Sequence, residues 1–187
     1  MTKPLIAFDS CTIIHLLAET PTWYRHVKAI YDDALTGKHM IVISEVTVAE
    51  CQRLEAVGGK KVTHDESARM IAQFFNRPFI VRRGLTSRES VLAGQLIRTH
   101  GVGTCDALIA ATAVFAGAKT LYTTDGCSHR RKDGKLLSVG VVETDCGKRM
   151  TVEPPDVATC AAIQAGAAAP VAAPSSPQQT AIGRTTP

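Results

Sequence analysis

The segment TCDALIAATAVFAGAKTLYTTD, residues 104–125, decides the fold. Residues 104–116 read as a strongly apolar helix that opens just after Gly101-Val-Gly103. Residues 120–123 read as a short buried strand, and Asp125 follows it at once. Helix, strand and acid in that order is the repeat unit of an α/β protein with its polar residues at the strand ends.

Outward from this segment the same alternation recurs. Short apolar runs at Leu5–Phe8, 40–43, 79–81 and 136–141 predict further strands. Longer amphipathic stretches at 10–18, 22–35, 45–54, 65–75 and 86–99 predict helices. Pro21 splits the first two, Ser44 is placed to cap the third, and Thr86 or Ser87 to cap the last, with Glu89 in its first turn. Residues 56–64 read as a loop containing glycine and lysine. Strands separated by helices imply crossover connections. The predicted architecture is therefore a three-layer α/β/α sandwich around a mainly parallel five-stranded sheet. The folded domain is drawn as residues 1–151. Residues 152–187 begin near Pro154-Pro155, are rich in Ala, Pro, Thr and Gln, and hold few large apolar side chains. They are expected to stay disordered.

Composition agrees with one soluble domain. The chain has 187 residues, 45% hydrophobic and 20% charged, enough to bury a core. No apolar run approaches the roughly 20 residues of a membrane span. No export signal is read at the N-terminus, so a cytoplasmic protein without membrane contact is expected. The net charge of +4 is compatible with a polyanionic partner but equally with an ordinary soluble protein. Six cysteines form no C-x-x-C pair, so no zinc or redox motif is legible and free thiols are expected.

Four acids fall where such a fold places its chemistry. Asp9 ends the first predicted strand and Asp125 follows the fourth. Glu50 lies in the helix after the second strand, and Asp106 in the first turn of the helix that feeds the fourth. Each has an ordinary structural explanation alone: Asp9 as a helix cap, Glu50 as a surface residue, Asp106 as an acid favoured at a helix N-terminus, Asp125-Gly126 as a turn. Together they would repel by roughly 4 kcal/mol per pair at 4 Å and an effective dielectric near 20. A cluster of this kind needs a cation or protons, and all-oxygen ligation suits Mg²⁺ or Mn²⁺.

At these residues the sequence resembles the PIN-domain family, in particular the VapC-type toxins of bacterial toxin–antitoxin pairs. The matching stretches are LIAFDS (5–10), ISEVTVAE (43–50), DALIAATA (106–113) and LYTTD (121–125). The resemblance implies that Asp9, Glu50, Asp106 and Asp125 hold Mg²⁺ or Mn²⁺ and carry catalysis, with Ser10, Thr123 and Thr124 as hydroxyls orienting ligands or water. It implies an endoribonuclease hydrolysing RNA phosphodiesters, a homodimer, and an antitoxin that blocks the acids with a basic side chain. The family often has Asn where Thr124 stands, and an acid and an aromatic where Gly126-Cys127-Ser128 follows.

Other readings of the residues attach to this frame. Arg130, Arg131 and Lys132, just past Asp125, are candidates to contact the RNA backbone; a solvated basic loop explains them equally well. A phosphatase of the haloacid-dehalogenase type also begins strand–Asp, but needs a second acid two residues on, where Cys11 stands. A non-catalytic PIN domain that binds RNA or protein is the other alternative, and the presence of all four acids argues against it. Cys11, Cys51, Cys105 and Cys127 each lie within two residues of one of the acids. Small, weakly polar side chains fit such places; inactivation by oxidation or Zn²⁺ through these thiols is the sharper reading.

Overall fold

The computed structural model describes residues 3–127 and 134–166. Its main sheet has six strands in the order β5-β2-β1-β6-β8-β7, where β1 is Leu5–Phe8, β2 Met40–Ser44, β5 Ile80–Arg83, β6 Thr120–Tyr122, β7 Val141–Glu143 and β8 Arg149–Glu153. All neighbours pair in parallel except β7, which runs antiparallel to β8 at the edge. β3 (Ala56–Val57) and β4 (Lys60–Lys61) form a separate two-stranded hairpin where a loop was expected.

Strand alternation divides the core in two. Ile6, Phe8, Ile41 and Ile43 face a layer that includes Ile13, Val27, Ile71 and Phe74, drawn from α1 (Ser10–Leu17), α2 (Tyr24–Leu35) and α4 (His64–Phe75). Ala7, Val42 and Leu121 face Leu92, Leu96, Ala110 and Val114, drawn from α5 (Ser87–His100) and α6 (Thr104–Ala116). With both faces covered, the strands read as continuous apolar runs, and the sandwich has the three predicted layers. α5 opens on a capping box between Thr86 and Glu89, as its sequence suggests. α6 lies against β2 and α5, and its alanines let it sit close. It ends at Gly117, whose φ of +90° is disfavoured for any side chain.

The C-terminal part departs from expectation. The stretch 136–141, predicted as the fifth strand, is instead a turn of 3₁₀ helix at Leu136–Ser138 followed by β7. The cause is local: the Leu136 N–H donates to the Asp125 carboxylate at 3.0 Å and the Leu137 N–H to the Asp125 carbonyl at 3.1 Å. These bonds curl the chain before it can extend. With β8 added after β7 in the chain, the described sheet has six strands rather than five. β8 crosses the boundary drawn at residue 151, and a further helix, α7 (Val157–Gln164), stands where the disordered tail was expected. α7 has few large apolar residues of its own. It is tied down by the Cys127–Cys160 disulfide and by Gln164 Nε2, which donates to the Gly126 carbonyl at 3.0 Å. The expectation of free thiols is thus corrected for this pair and stands for Cys11, Cys51, Cys105 and Cys146. Residues 167–187 of the expected tail lie outside the described residues.

Candidate metal centre

The chain leaves β1 toward β2 and β5 on one side and returns to β6 on the other. The carboxyl ends of β1 and β6 are thus the point where strand order reverses, the crevice in which open α/β sheets bind ligands. Asp9 and Asp125 follow these two strands.

Asp9 is buried, and its placement follows from its sequence neighbours. It caps α1 and accepts from the Thr12 N–H at 2.8 Å. The Cys11 thiol reaches both carboxylate oxygens, at 2.9 and 3.1 Å. The Thr123 hydroxyl, brought alongside by the β1–β6 register, donates to Oδ2. Burial raises the Asp9 pKa; these donors oppose the rise without cancelling it.

Asp125 is held at the start of its loop. Its N–H donates to Thr123 Oγ1 at 2.9 Å. Its carboxylate accepts from Leu136 N–H and pairs with Lys135 Nζ at 3.0 Å. Asp106 occupies the first turn of α6, where the aligned peptide dipoles favour a negative charge. Glu50, exposed, ends α3 (Glu45–Glu50), which packs against α6 and α1.

The electrostatics join the four. The Asp106 pKa is raised to about 6, first by burial and then by the charges of Asp125, Asp9 and Glu50 in that order, with Lys135 opposing. Glu50 also raises the Cys105 thiol, after burial. Burial foremost, then Asp9 and Glu50, push the Cys51 thiol to about 12. Asp9 and Asp125 thus stand at one edge of the sheet, and the charges of Asp125, Asp9 and Glu50 all act on Asp106. Among the described residues, no three His, Cys, Asp or Glu side chains stand close enough together to chelate an ion as they are. The donor set nonetheless suits a hard cation: it is all carboxylate oxygen, and its mutual repulsion is registered on Asp106. A cation that engages Asp125 competes with Lys135 for the same carboxylate.

Of the other predicted residues, Thr123 supports Asp9 directly. Thr124 bonds Cys11 and His15 rather than an acid. For Ser10, the carbonyl accepts from the Cys51 thiol at 3.8 Å, and no bond from its hydroxyl to Asp9 is found among the described residues. Arg130, Arg131 and Lys132 lie outside the described residues. Sequence reasoning missed Thr12, His15 and Lys135. Thr12 and His15 sit among apolar neighbours with no motif to mark them, whereas Lys135 follows Lys132 by three residues in the sequence and its pairing with Asp125 carries no motif.

An open, mainly parallel sheet with acids collected at its switch point defines a class of α/β proteins that bind ligands at that edge. The chain belongs to the PIN-domain family, whose profile matches residues 6–135. No curated protein sequence matches it. Its fold is similar to that of several solved structures. One is VapBC2 of Rickettsia felis bound to a promoter DNA fragment, with 20% identity over 65% of this chain and 88% of that one and a TM-score of 0.49. Another is VapC20 of Mycobacterium tuberculosis, a sarcin–ricin loop cleaving toxin, with 15% identity over 65% and 90% and a TM-score of 0.49. A third is a toxin–antitoxin complex of Klebsiella pneumoniae, with 21% identity over 64% and 86% and a TM-score of 0.46.

Proposed function

We propose that this chain is an endoribonuclease that hydrolyses RNA phosphodiesters with Mg²⁺ or Mn²⁺ held by Asp9, Glu50, Asp106 and Asp125. The observation that carries the reading is the placement of Asp9 and Asp125 at the adjoining carboxyl ends of β1 and β6, with the charges of Asp125, Asp9 and Glu50 all raising the pKa of the Asp106 carboxyl. Such a group of like charges is tolerable at neutral pH with a cation among them. A divalent ion bound there supplies a water of lowered pKa and offsets charge on the phosphate.

The protein's own contribution is placement. Asp9 is fixed by its three donors, so one carboxylate meets an incoming ion with little freedom to lose, and Asp106 stands in the first turn of α6, where the helix dipole favours its charge. Lys135 carries a positive charge at the rim of the cluster, suited to a phosphate oxygen. Arg130, Arg131 and Lys132 are proposed to extend that grip along the RNA backbone. We extend the proposal to the toxin half of a toxin–antitoxin pair, a cytoplasmic homodimer whose antitoxin lays a basic side chain across the acids; charge complementarity supports that mode of inhibition. No helix among the described residues is long and apolar enough to cross a membrane.

The test is incubation with a mixed RNA pool in Mg²⁺ or Mn²⁺, and in EDTA. Cleavage is expected with either metal and not with EDTA, and Asp9→Asn should lose it while staying folded. Metal binding without cleavage of any RNA would favour a non-catalytic PIN domain. An Asp9→Asn variant that cuts as fast as the wild type would refute the mechanism.

A further inference from the structure

A file of hydrogen bonds leads from the end of α1 to Asp9. Thr20 Oγ1 stands 2.8 Å from His15 Nδ1, and His15 Nε2 stands 3.0 Å from Thr124 Oγ1. The Thr124 hydroxyl donates to Cys11 Sγ at 2.9 Å, and its backbone N–H donates to the same sulfur at 3.2 Å. The Cys11 thiol then spans the two Asp9 oxygens.

Counting protons fixes the direction. The proposed metal role needs Asp9 ionised, and an ionised carboxylate only accepts, so the single Cys11 hydrogen goes to Asp9. The sulfur is left to accept, and it takes the Thr124 hydroxyl proton. Thr124 Oγ1 must then accept from His15, which places the imidazole hydrogen on Nε2. Nδ1 is left bare and accepts from the Thr20 hydroxyl. Every donor in the file points toward Asp9, and none is left over. Burial lowers the His15 pKa, which keeps the ring neutral as this arrangement requires.

The file also bridges the switch point. His15 and Cys11 belong to α1, which follows β1. Thr124 lies between Thr123, which bonds Asp9, and Asp125, which follows β6. One chain of bonds thus clamps the segment carrying one proposed ligand to the segment carrying another.

We infer that His15, Thr124 and Cys11 are positioning residues that orient the Asp9 carboxylate and hold it in register with the Asp125 loop. The inference rests on the proposed metal-binding role of Asp9. None of the three touches the ion; they act as the outer partners that fix a ligand's direction, where substitutions typically cost about 10-fold or more in metal affinity.

The test has two arms. The first needs no metal: in the wild type, nitrogen NMR of the His15 ring should report the neutral tautomer protonated on Nε2. The Nδ1-protonated tautomer, or a charged ring at neutral pH, would overturn the file. The second arm is titration of full-length protein with Mn²⁺, followed by calorimetry or electron paramagnetic resonance. His15→Leu, Thr124→Val and Cys11→Ala should each bind Mn²⁺ about 10-fold more weakly. Cleavage should fall with metal occupancy and recover at high Mn²⁺, while KM for RNA stays put. Cys11→Ser, which keeps a donor and an acceptor, should restore affinity to near the wild-type value. A merely structural role would show as a lower melting temperature with unchanged Mn²⁺ affinity, and that result refutes the inference. If Cys11→Ala does not fold, Thr124→Val removes the same link by loss of one hydroxyl. A wild type that binds no Mn²⁺ at all would instead refute the metal reading and this inference with it, whereas tight wild-type binding with unaffected variants refutes the inference alone.

Discussion

Replacing Asp106 with Asn should stabilise the metal-free protein, and the effect should depend on pH in a specified direction. The Asp106 pKa stands at about 6 against an ordinary 3.8. At about 1.36 kcal/mol per pH unit, that gap is a ceiling of about 3 kcal/mol. The carboxyl is only partly buried, so screening by solvent reduces the figure to roughly 1–2 kcal/mol. The sign follows from linkage. A carboxyl whose pKa is raised on folding favours the folded state below its unfolded pKa, and that contribution is lost as pH rises through about 6. In EDTA at about pH 7.5 the wild type therefore carries the full penalty and Asp106→Asn does not. For a domain of this size 1 kcal/mol moves the melting temperature by about 2–4 °C, so the variant should melt roughly 2–8 °C higher. At about pH 4.5 the folded carboxyl is largely protonated while the unfolded one is still mostly ionised, so the difference should shrink to roughly a third, closing only below the ordinary value of 3.8. Saturating Mn²⁺ should reverse the order, because only the wild type gains binding energy from the ion. The assay is thermal melting of both proteins at the two pH values, with EDTA and with Mn²⁺. A variant that melts at or below the wild type at the higher pH in EDTA would refute the reasoning, as would a gap that does not change with pH.

Three further outcomes are expected. Lys135→Met removes the cation paired with Asp125 and should tighten Mn²⁺ binding severalfold while slowing RNA cleavage, measured by calorimetry and a cleavage assay; weaker Mn²⁺ binding would contradict the competition. Gly126→Ala should cost about 1–3 kcal/mol in a urea melt, because φ is +106° and a Cβ would stand 3.1 Å from the Cβ atoms of both Lys135 and Leu137. Cys160→Ser should lower stability by up to roughly 3–4 kcal/mol, since the bond closes a loop with a sequence separation of 33; wild type with a dithiol reductant should melt like the variant, and a melt insensitive to reductant would mean the bond does not form in solution.

The parts of the fold legible in the sequence are those set by local pattern. The α6 boundaries came through because an apolar helix lies between Gly103 and Gly117, and the α5 cap because Thr86 and Glu89 have capping-box spacing. β1, β2 and β6 were legible as short apolar runs, each ending at a polar residue. What failed depended on partners far away in the chain. Leu136–Ser138 has the apolar character of a strand, and only the bonds to Asp125 make it a turn. β8 is half exposed and gains its place by pairing with β6 and β7. α7 depends on a disulfide whose partner precedes it by 33 residues, and no spacing rule selects Cys127 among six cysteines. The candidate site was legible as residue types at strand ends. The groups that hold Asp9, the Cys11 thiol and the Thr12 N–H above all, were not, because a thiol and a backbone N–H carry no motif. The bonds of Cys11 to the Asp9 carboxylate give its nearness to an acid a physical sense.

Diffraction from Mn²⁺-soaked crystals at the manganese absorption edge addresses the four-acid centre most directly. The account predicts one anomalous peak bounded by carboxylate oxygens of Asp9 and Asp106, with Asp125 and Glu50 reaching it directly or through water, and no such peak in Asp9→Asn. A peak elsewhere, or none at full Mn²⁺ loading with the four side chains still splayed, would contradict it.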